Sequence, residues 1–463
     1  MPPSATTLGA VVLAAGHGTR MRSARPKVLH ALAGRPMLDW VLGAVAGAAP
    51  AHTVVVVAPE GAGVDEALPD GVATAVQAER DGTGGAAHVG LAALDPACDT
   101  VLVLYGDTPL VTSALIEAVL ADHRASGRPA TLVSAVLADP AAYGRVVRGL
   151  DGGVDRIVEA PDATPEELAV HEVNAGVYVC DRRALAQALD GLSADNAQLE
   201  RYLPDAVLRL GAVGAVVADD PRAVLGVNTR VELAAYESVI QGRLREALMI
   251  AGVTMPDPTR VYVDAGVRVG EDTVLWPDVH LRGATVVGRG CEIGPNVVMV
   301  DSAAGEGSVV VNAHLIGSEL GARCQVGPYA SLRPGTRLAD GAKAGTFVEM
   351  KNSTIGPGAK VPHLSYVGDA TVGEEANIGA GNITANYDGF RKHRTEIGAR
   401  VKTGSDCVFV APVHVGDDAM TGAGSIITQD VPPGALGIAR ERQTNIEGYT
   451  DRARERARRA SEG

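Results

Sequence analysis

The sequence predicts two domains of different architecture: an α/β domain built on a mainly parallel sheet, then a parallel β-helix. Three observations carry this. Short apolar runs alternate with amphipathic segments through the first half. From about residue 261 the apolar positions recur at intervals of six. Among 463 residues there are 56 glycines and only 3% aromatic residues, which favours tight repeating turns.

In the first half the strand candidates are 10–14, 54–58, 101–105, 131–136 and 173–179, with helical patterns such as 37–46 and 113–121 between them. Strands alternating with helices give a sheet covered on both faces, and ligands bind beyond the carboxyl ends of such strands. Gly16 and Asp107 each sit just past a strand on this reading. Residues 231–252 carry Val231, Ala235, Val239 and Leu248 near a helical period. They form either a packed helix of the first domain or a connecting strut, since a helix of some 20 residues spans roughly 30 Å. The predicted division is 1–230, a helical linker at 231–251, and 252–463 including a polar tail.

In the second half Val263, Val269, Leu275, Leu281, Val287, Ile293 and Met299 fall six apart. The pattern resumes at Val326, Leu332 and Leu338, at Val372, Ile378 and Thr384, and from Ile397 through Thr403, Phe409, Val415 and Thr421 to Ile427. One small or branched residue per face points inward and a turn follows. The stretches "TFVEMKNSTIG", "KVPHLSYVGDA" and "ANYDGFRKHRTEIG" read as interruptions of the repeat. They put charged side chains where a passive coil needs only turns, and function concentrates in such places. A β-helix is otherwise as readily a scaffold. The tail, "DRARERARRASEG", reads as a frayed or helical polar segment.

A formal charge of −14 argues against general binding of nucleic acid or membrane surfaces, while leaving room for a small anion held by local cations. The five cysteines have neither metal-ligand nor redox spacing and read as buried or free thiols in a reducing compartment. The first residues lack the basic flank and apolar length of an export signal, and no run approaches the roughly 20 apolar residues of a membrane span. A cytoplasmic protein is expected.

"VLAAGHGTRM" ends an apolar run in glycines. It lacks the third glycine of a dinucleotide fingerprint and the lysine–hydroxyl pair of a P-loop. Gly16 and Gly18 let backbone approach an anion, and Arg20 and Lys27 add positive charge suited to a triphosphate. Asp107, in "VLVLYGDTPL", either caps the next helix or holds a divalent metal, for which Mg²⁺ beside a phosphate loop is the natural choice.

"LAAGHGTRM" with the "PK" that follows resembles the sugar-nucleotide pyrophosphorylases, as do "QAERDGTGGA", "YGD", "AYGRVV", "IVEAPDA", "EVNAGVY" and "GVNTR". Joined to hexapeptide repeats, the whole resembles a family of bifunctional uridyltransferase–acetyltransferases that make UDP-N-acetylglucosamine. The resemblance implies a Rossmann-like α/β nucleotide-diphospho-sugar transferase domain and a left-handed parallel β-helix. It implies that Leu13, Ala14, Ala15, Gly16, Lys27, Gln77, Gly82, Thr83, Tyr105 and Gly106 hold UTP. Asp107 and Asn228 would bind Mg²⁺, and Gly144, Glu159 and Asn174 would hold the sugar. Lys27 and Arg20 would neutralise and align the reactants.

In the second half the resemblance implies that Arg333, Lys351, Tyr366 and Asn377 hold glucosamine 1-phosphate. His363 would be the general base, oriented by Glu349. Ala380, Asn386, Tyr387, Ser405, Ala423 and Arg440 would line the acetyl-CoA site, with Asn386 or Ser405 stabilising the oxyanion. A homotrimer is expected, with each acetyltransferase site drawing on neighbouring chains. The chain departs from the family pattern at Gly85, where histidine is common. It also departs at Leu199, Arg201 and Pro204, within a run usually written Asn-Ala-Gln-Gly-Glu-Tyr-Tyr-Leu-Thr-Asp. A single-activity pyrophosphorylase on a β-helix scaffold and a non-catalytic sugar-nucleotide binder are the competing readings.

Overall fold

The computed structural model describes residues 7–16, 18–59, 63–150 and 152–462. His17, inside the glycine-rich stretch, lies outside the described residues. Contacts divide the chain into two units, one ending at Arg243 and the other beginning at Leu244.

The first unit is organised by Leu8–Leu13 (β1), six consecutive buried residues. A run apolar on both faces belongs in the middle of a covered sheet. The further strands are His52–Val57 (β2), Val72–Val76 (β3), Thr100–Tyr105 (β4), Ala130–Val136 (β5), Arg145–Arg148 (β6), Val154–Val158 (β7), Glu172–Asp181 (β8) and Val213–Val217 (β9). Their order across the sheet is β3-β2-β1-β4-β8-β5-β9-β7-β6.

The sheet is mainly parallel, as expected, with β8 and β7 running against the other seven strands. β3, β2, β1 and β4 are parallel, but β8 runs antiparallel to both β4 and β5. The chain between β5 and β8 is spent on the antiparallel pair β6–β7 and on a helix of only four residues, Pro165–Leu168, and not on a crossover helix. Only parallel neighbours require a crossover helix.

The longer helices of the unit are Met37–Gly47 (α1), Thr83–Ala93 (α2), Ser113–Ser126 (α3), Arg182–Asp190 (α4), Leu203–Leu208 (α5) and Arg230–Ile250 (α6), the last leading out of it. In α3, the Thr112 hydroxyl accepts from the Leu115 amide at 3.2 Å, and Gly127, left-handed at φ 62°, closes the far end. α2 contains Gly84, Gly85 and Gly90, poor helix formers that mask it in the sequence. A Cβ on Gly90 would lie 2.3 Å from Val11 Cγ1, so the glycine is what lets α2 lie against β1. The first part of α6 packs on the first unit: Tyr236 donates to the Leu225 carbonyl, and Glu237 accepts from the Ala33 amide.

The second unit is a left-handed parallel β-helix with a ten-stranded, a nine-stranded and a six-stranded sheet. Val261 pairs with Val279 and Val279 with Val297, so a full coil is 18 residues, or three hexads. The inward column forms one continuous core from Val253 to Val431. Where the six-residue pattern breaks, the coil does not. Ala304, Val310, Leu315 and Leu320 carry it from Met299 to Val326, and Ala344, Met350, Ile355, Val361 and Val367 carry it from Leu338 to Val372, all buried. Some of these steps are five residues, because a turn has given up one. "TFVEMKNSTIG" and "KVPHLSYVGDA" are therefore regular coil and not interruptions. The third stretch is a true insertion: Ile383 pairs with Val408, a coil of 25 residues. The extra residues form a loop closed by an antiparallel bridge between Tyr387 and Lys392.

At one corner, Asn312, Tyr329, Phe347 and Leu364 occupy successive coils, all in the left-handed region. Tyr329 and Phe347 stack with centroids 5.3 Å apart, and they and Leu364 are exposed. All five cysteines are buried and free. The tail forms helix Tyr449–Ser461 (α7), with no buried residue and ion pairs such as Glu455–Arg459. No helix among the described residues is long and apolar enough to cross a membrane.

Candidate functional sites

Leu13 and Tyr105 are register partners at the carboxyl ends of β1 and β4, which sets the loops after the two strands side by side. A Cβ on Gly16 would meet nothing within 4 Å, so this glycine is not demanded by packing and leaves its backbone open to a ligand. Gly18, at φ 58°, is demanded: a Cβ there would lie 2.7 Å from that of Lys27. The Lys27 ammonium contacts a carboxylate oxygen of Asp107 and donates to Asn228 Oδ1 at 3.2 Å. Asp107 does not cap α3, because Thr112 does.

A cleft of about 430 Å³ opens at these strand ends. Leu13, Ala14, Ala15, Gly16, Lys27, Gln77, Gly82, Thr83, Tyr105, Asp107, Gly144, Glu159 and Asn174 all line it. Three sequence-predicted residues do not. Asn228 stands behind Lys27, and Gly106 is tied by its amide to the Leu13 carbonyl at 2.9 Å. Arg20 is exposed in the short turn Thr19–Met21, outside the lining.

Asn174 reaches the cleft through a register shift in β8 between Asn174 and Tyr178, and a bulge of this kind re-aims a side chain. Gly176 inside the bulge has φ 70°, and a Cβ on it would lie 2.2 Å from the Tyr105 ring. Gly144 backs onto Glu159, whose carboxylate a Cβ would approach to 3.0 Å. Burial, with Asp205, Asp162 and Glu200 adding repulsion, pushes Glu159 up to about 7.

The sequence reading missed Gln198, Glu200 and Tyr202, which form one wall of the cleft. They lie in the run that departs from the family pattern. Leu199 stands there at φ 55°, a left-handed conformation unusual for a branched side chain, where the family run has glycine. Pro204 falls in the first turn of α5, where a missing amide proton costs nothing.

The second constellation lies on the β-helix. Glu349 and Tyr366 are register partners on adjacent coils, and His363 ends the strand Lys360–His363, paired with Thr346. The His363 imidazole is exposed and has no hydrogen-bond partner among the described residues. Glu349 accepts from Arg333 Nη1 at 2.8 Å, so its carboxylate is engaged by an arginine and not by the imidazole.

Lys351 is flanked by Lys392 and, more weakly, by Arg333, and their charge holds its ammonium below the usual lysine range. Asp369 partly offsets this cluster and accepts from Asn352 and Asn386. Lys392 comes from the inserted loop and was not among the residues read from sequence. Only the bridge to Tyr387 places it at the site. Within the loop Asp388 accepts from the amides of Arg391 and Phe390 and from His393, which hold its carboxyl down at about 2.

Ala380, Ser405 and Ala423 occupy one corner on three consecutive coils. The Asp406 amide donates to the Ala380 carbonyl at 2.7 Å and the Gly424 amide to the Ser405 carbonyl at 2.8 Å. Arg440 lies over Gly424. Asn377 bridges Lys360 and Lys402 with its side chain exposed, and Tyr387, Ser405, Ala423 and Arg440 are exposed as well.

Residues 10–204 match the family described as MobA-like NTP transferase domain, and residues 266–300 match bacterial transferase hexapeptide (six repeats). A Streptomyces avermitilis protein is 48% identical over 453 residues, covering 96% of this chain and 94% of its own. One from Mycolicibacterium gilvum is 49% identical over 457 residues, covering 96% and 92%. One from Heliobacterium modesticaldum is 48% identical over 447 residues, covering 96% and 98%. Each of the three is named bifunctional protein GlmU.

Proposed function

The chain belongs to the GlmU family, and on that premise we propose how its two halves divide the work and which residues do it. It is a bifunctional transferase of UDP-N-acetylglucosamine synthesis, acting as uridyltransferase and acetyltransferase. Residues 1–230 carry uridyl transfer, 231–251 link, and 252–463 carry acetyl transfer, in a cytoplasmic protein that feeds cell-envelope synthesis.

The observation that carries the first assignment is the cleft in which the glycine-rich loop, Lys27 and Asp107 meet Gly144, Glu159 and Asn174. UTP lies along the first group and N-acetylglucosamine 1-phosphate against the second. A phosphate oxygen of the sugar phosphate attacks the α-phosphorus in line, the bond to the β-phosphate breaks, and pyrophosphate leaves. No protein nucleophile is needed. Lys27, with Arg20 at the rim, offsets the triphosphate charge, while Glu159 and Asn174 fix the sugar so that the attacking oxygen is aligned.

The oxygens of Asp107 and Asn228 converge on one cation, the Lys27 ammonium, and one carboxylate plus one neutral oxygen is a donor set that suits Mg²⁺. Mg²⁺ held by Asp107 and Asn228 would supply charge neutralisation on the phosphates.

For acetyl transfer, the cation group of Arg333, Lys351 and Lys392 takes the phosphate of glucosamine 1-phosphate, and Tyr366 and Asn377 flank the sugar. The amine nitrogen attacks the thioester carbonyl of acetyl-CoA while His363 takes the proton and CoA leaves as the thiolate. Glu349 orients His363 once the substrate phosphate competes for Arg333. The corner of Ala380, Ser405, Ala423 and Arg440, with Asn386 and Tyr387, receives acetyl-CoA. Asn386 or Ser405 faces the developing oxyanion.

These residues lie on the open surface of one chain, and the exposed Tyr329, Phe347 and Leu364 run up a nearby corner. Both features support a homotrimer in which neighbouring chains complete each acetyltransferase site. The test is direct. Pyrophosphate release should require UTP, Mg²⁺ and N-acetylglucosamine 1-phosphate. Thiol release should require acetyl-CoA and glucosamine 1-phosphate, and the mass in solution should be three times 47.4 kDa. Absence of thiol release would leave a single-activity pyrophosphorylase, and absence of both releases a non-catalytic binder.

A further inference from the structure

Asp81, in the loop before α2, was not among the candidate site residues, yet it touches one of them. Its Oδ1 accepts from Gln77 Nε2 at 3.1 Å, and the same nitrogen donates to the Gly82 carbonyl at 3.0 Å. A carboxylate and a carbonyl are both acceptors only, so the Gln77 atom facing them must be its NH₂ group. The carboxamide is thereby fixed in one of its two orientations, and its Oε1 has no partner among the described residues. Gln77 is buried and lines the cleft.

Two residues that depart from the family pattern hold Asp81 in this position. A Cβ on Gly85 would lie 1.7 Å from Asp81 Oδ1, so the carboxylate occupies the space that any side chain at 85 would fill. Arg201 reaches Asp81 Oδ2 at 3.2 Å, its amide donates to the Asp81 carbonyl at 2.6 Å, and its other guanidinium nitrogen donates to the Leu189 carbonyl. The absent side chain at 85 and the guanidinium at 201 thus serve one carboxylate.

We propose that Asp81, seated over Gly85 and held by Arg201, is a positioning residue that spends the Gln77 amide nitrogen and leaves the site an acceptor for the nucleobase. The inference rests on reading this cleft as the nucleotide site. An acceptor at that place favours a base presenting a ring N–H, as uracil does, over one presenting a lone pair, as cytosine does. Asp81 therefore sets base selection without touching the base.

The experiment measures kcat/KM with UTP and with CTP for the full chain and for Asp81→Leu, Gly85→Ala and the double variant, with circular dichroism and thermal melting of each variant as the control for folding. Asp81→Leu removes one of the two acceptors that hold the Gln77 amide and leaves only the Gly82 carbonyl, and the ratio of UTP to CTP efficiency should fall about tenfold. Gly85→Ala displaces the carboxylate without changing charge and should lower the ratio in the same direction. The double variant should be no worse than Asp81→Leu alone. An equal loss with UTP and CTP, or additive losses in the double variant, would overturn the inference and leave Asp81 a packing residue. Failure of the parent chain to use UTP at all would instead overturn the reading on which the inference rests.

Discussion

Arg333 donates to Glu349 at 2.8 Å, so the carboxylate assigned to orient His363 is bonded to the arginine assigned to the substrate phosphate. The pair is exposed, and an exposed ion pair contributes little to stability. Its weakness suits a contact that must open when a phosphate arrives. If Glu349 then serves His363, Glu349→Gln should lower kcat for acetyl transfer roughly ten- to hundredfold, leave uridyl transfer intact and alter the kcat–pH profile. A variant with an unchanged profile would leave His363 without this orienting partner.

The two sites stand on separate units, so their losses should be separable. Asp107→Ala removes the carboxylate that meets Lys27 and should abolish pyrophosphate release while thiol release continues. His363→Ala should do the reverse, with acetyl transfer down by roughly 10²–10⁴. Assaying both activities on each purified variant checks this, and a folded variant that lost both would contradict the assignment.

Lys392 presses on Lys351 from the inserted loop, and this repulsion, only partly offset by Asp369, favours an arriving anion. Lys392→Ala should raise the KM for glucosamine 1-phosphate about tenfold, as expected for one lost charge-assisted contact. The KM for acetyl-CoA should stay where it is. Steady-state kinetics with each substrate varied in turn will tell.

Glu159 ionises at about 7 in the folded chain and near the ordinary 4.5 when unfolded. Between those values the folded state holds the extra proton, so stability falls as pH rises through this window, and the full penalty is present above 7. Glu159→Gln removes the penalty. The variant should match the parent in thermal stability near pH 4.5 and exceed it at pH 8, by an amount on the order of 3 kcal/mol. Its KM for the sugar phosphate should rise. Melting curves across that range are the measurement.

Much of this was legible in the sequence, for identifiable reasons. β1 and β4 announce themselves because both faces are buried, and the inward column of the β-helix repeats because every coil makes the same turn. The antiparallel course of β8 was not legible, since an apolar run carries no sign of its direction. Nor was α2, whose glycines answer to the close approach of β1 and not to helix propensity. The five-residue steps, such as Met299 to Ala304 and Met350 to Ile355, hid Ala304, Ile355 and Val361 from a search at fixed spacing. Asp81 and Arg201, 120 positions apart, mean little until the fold sets them together. Lys392 is one basic residue in a polar loop until its bridge to Tyr387 places it beside Lys351.

The coils of the β-helix bond only to the coils before and after them. Such a stack behaves as a one-dimensional lattice, in which a break at one coil divides the order on its two sides. The acetyl-transfer residues run from Arg333 to Arg440, toward one end of that lattice, where a coil has a neighbour to lose before the middle does. Fraying from that end would silence thiol release while the coils around Val261 and the whole α/β unit kept their order. Loss of one activity on warming would then be an early report of unravelling, ahead of any change in bulk structure.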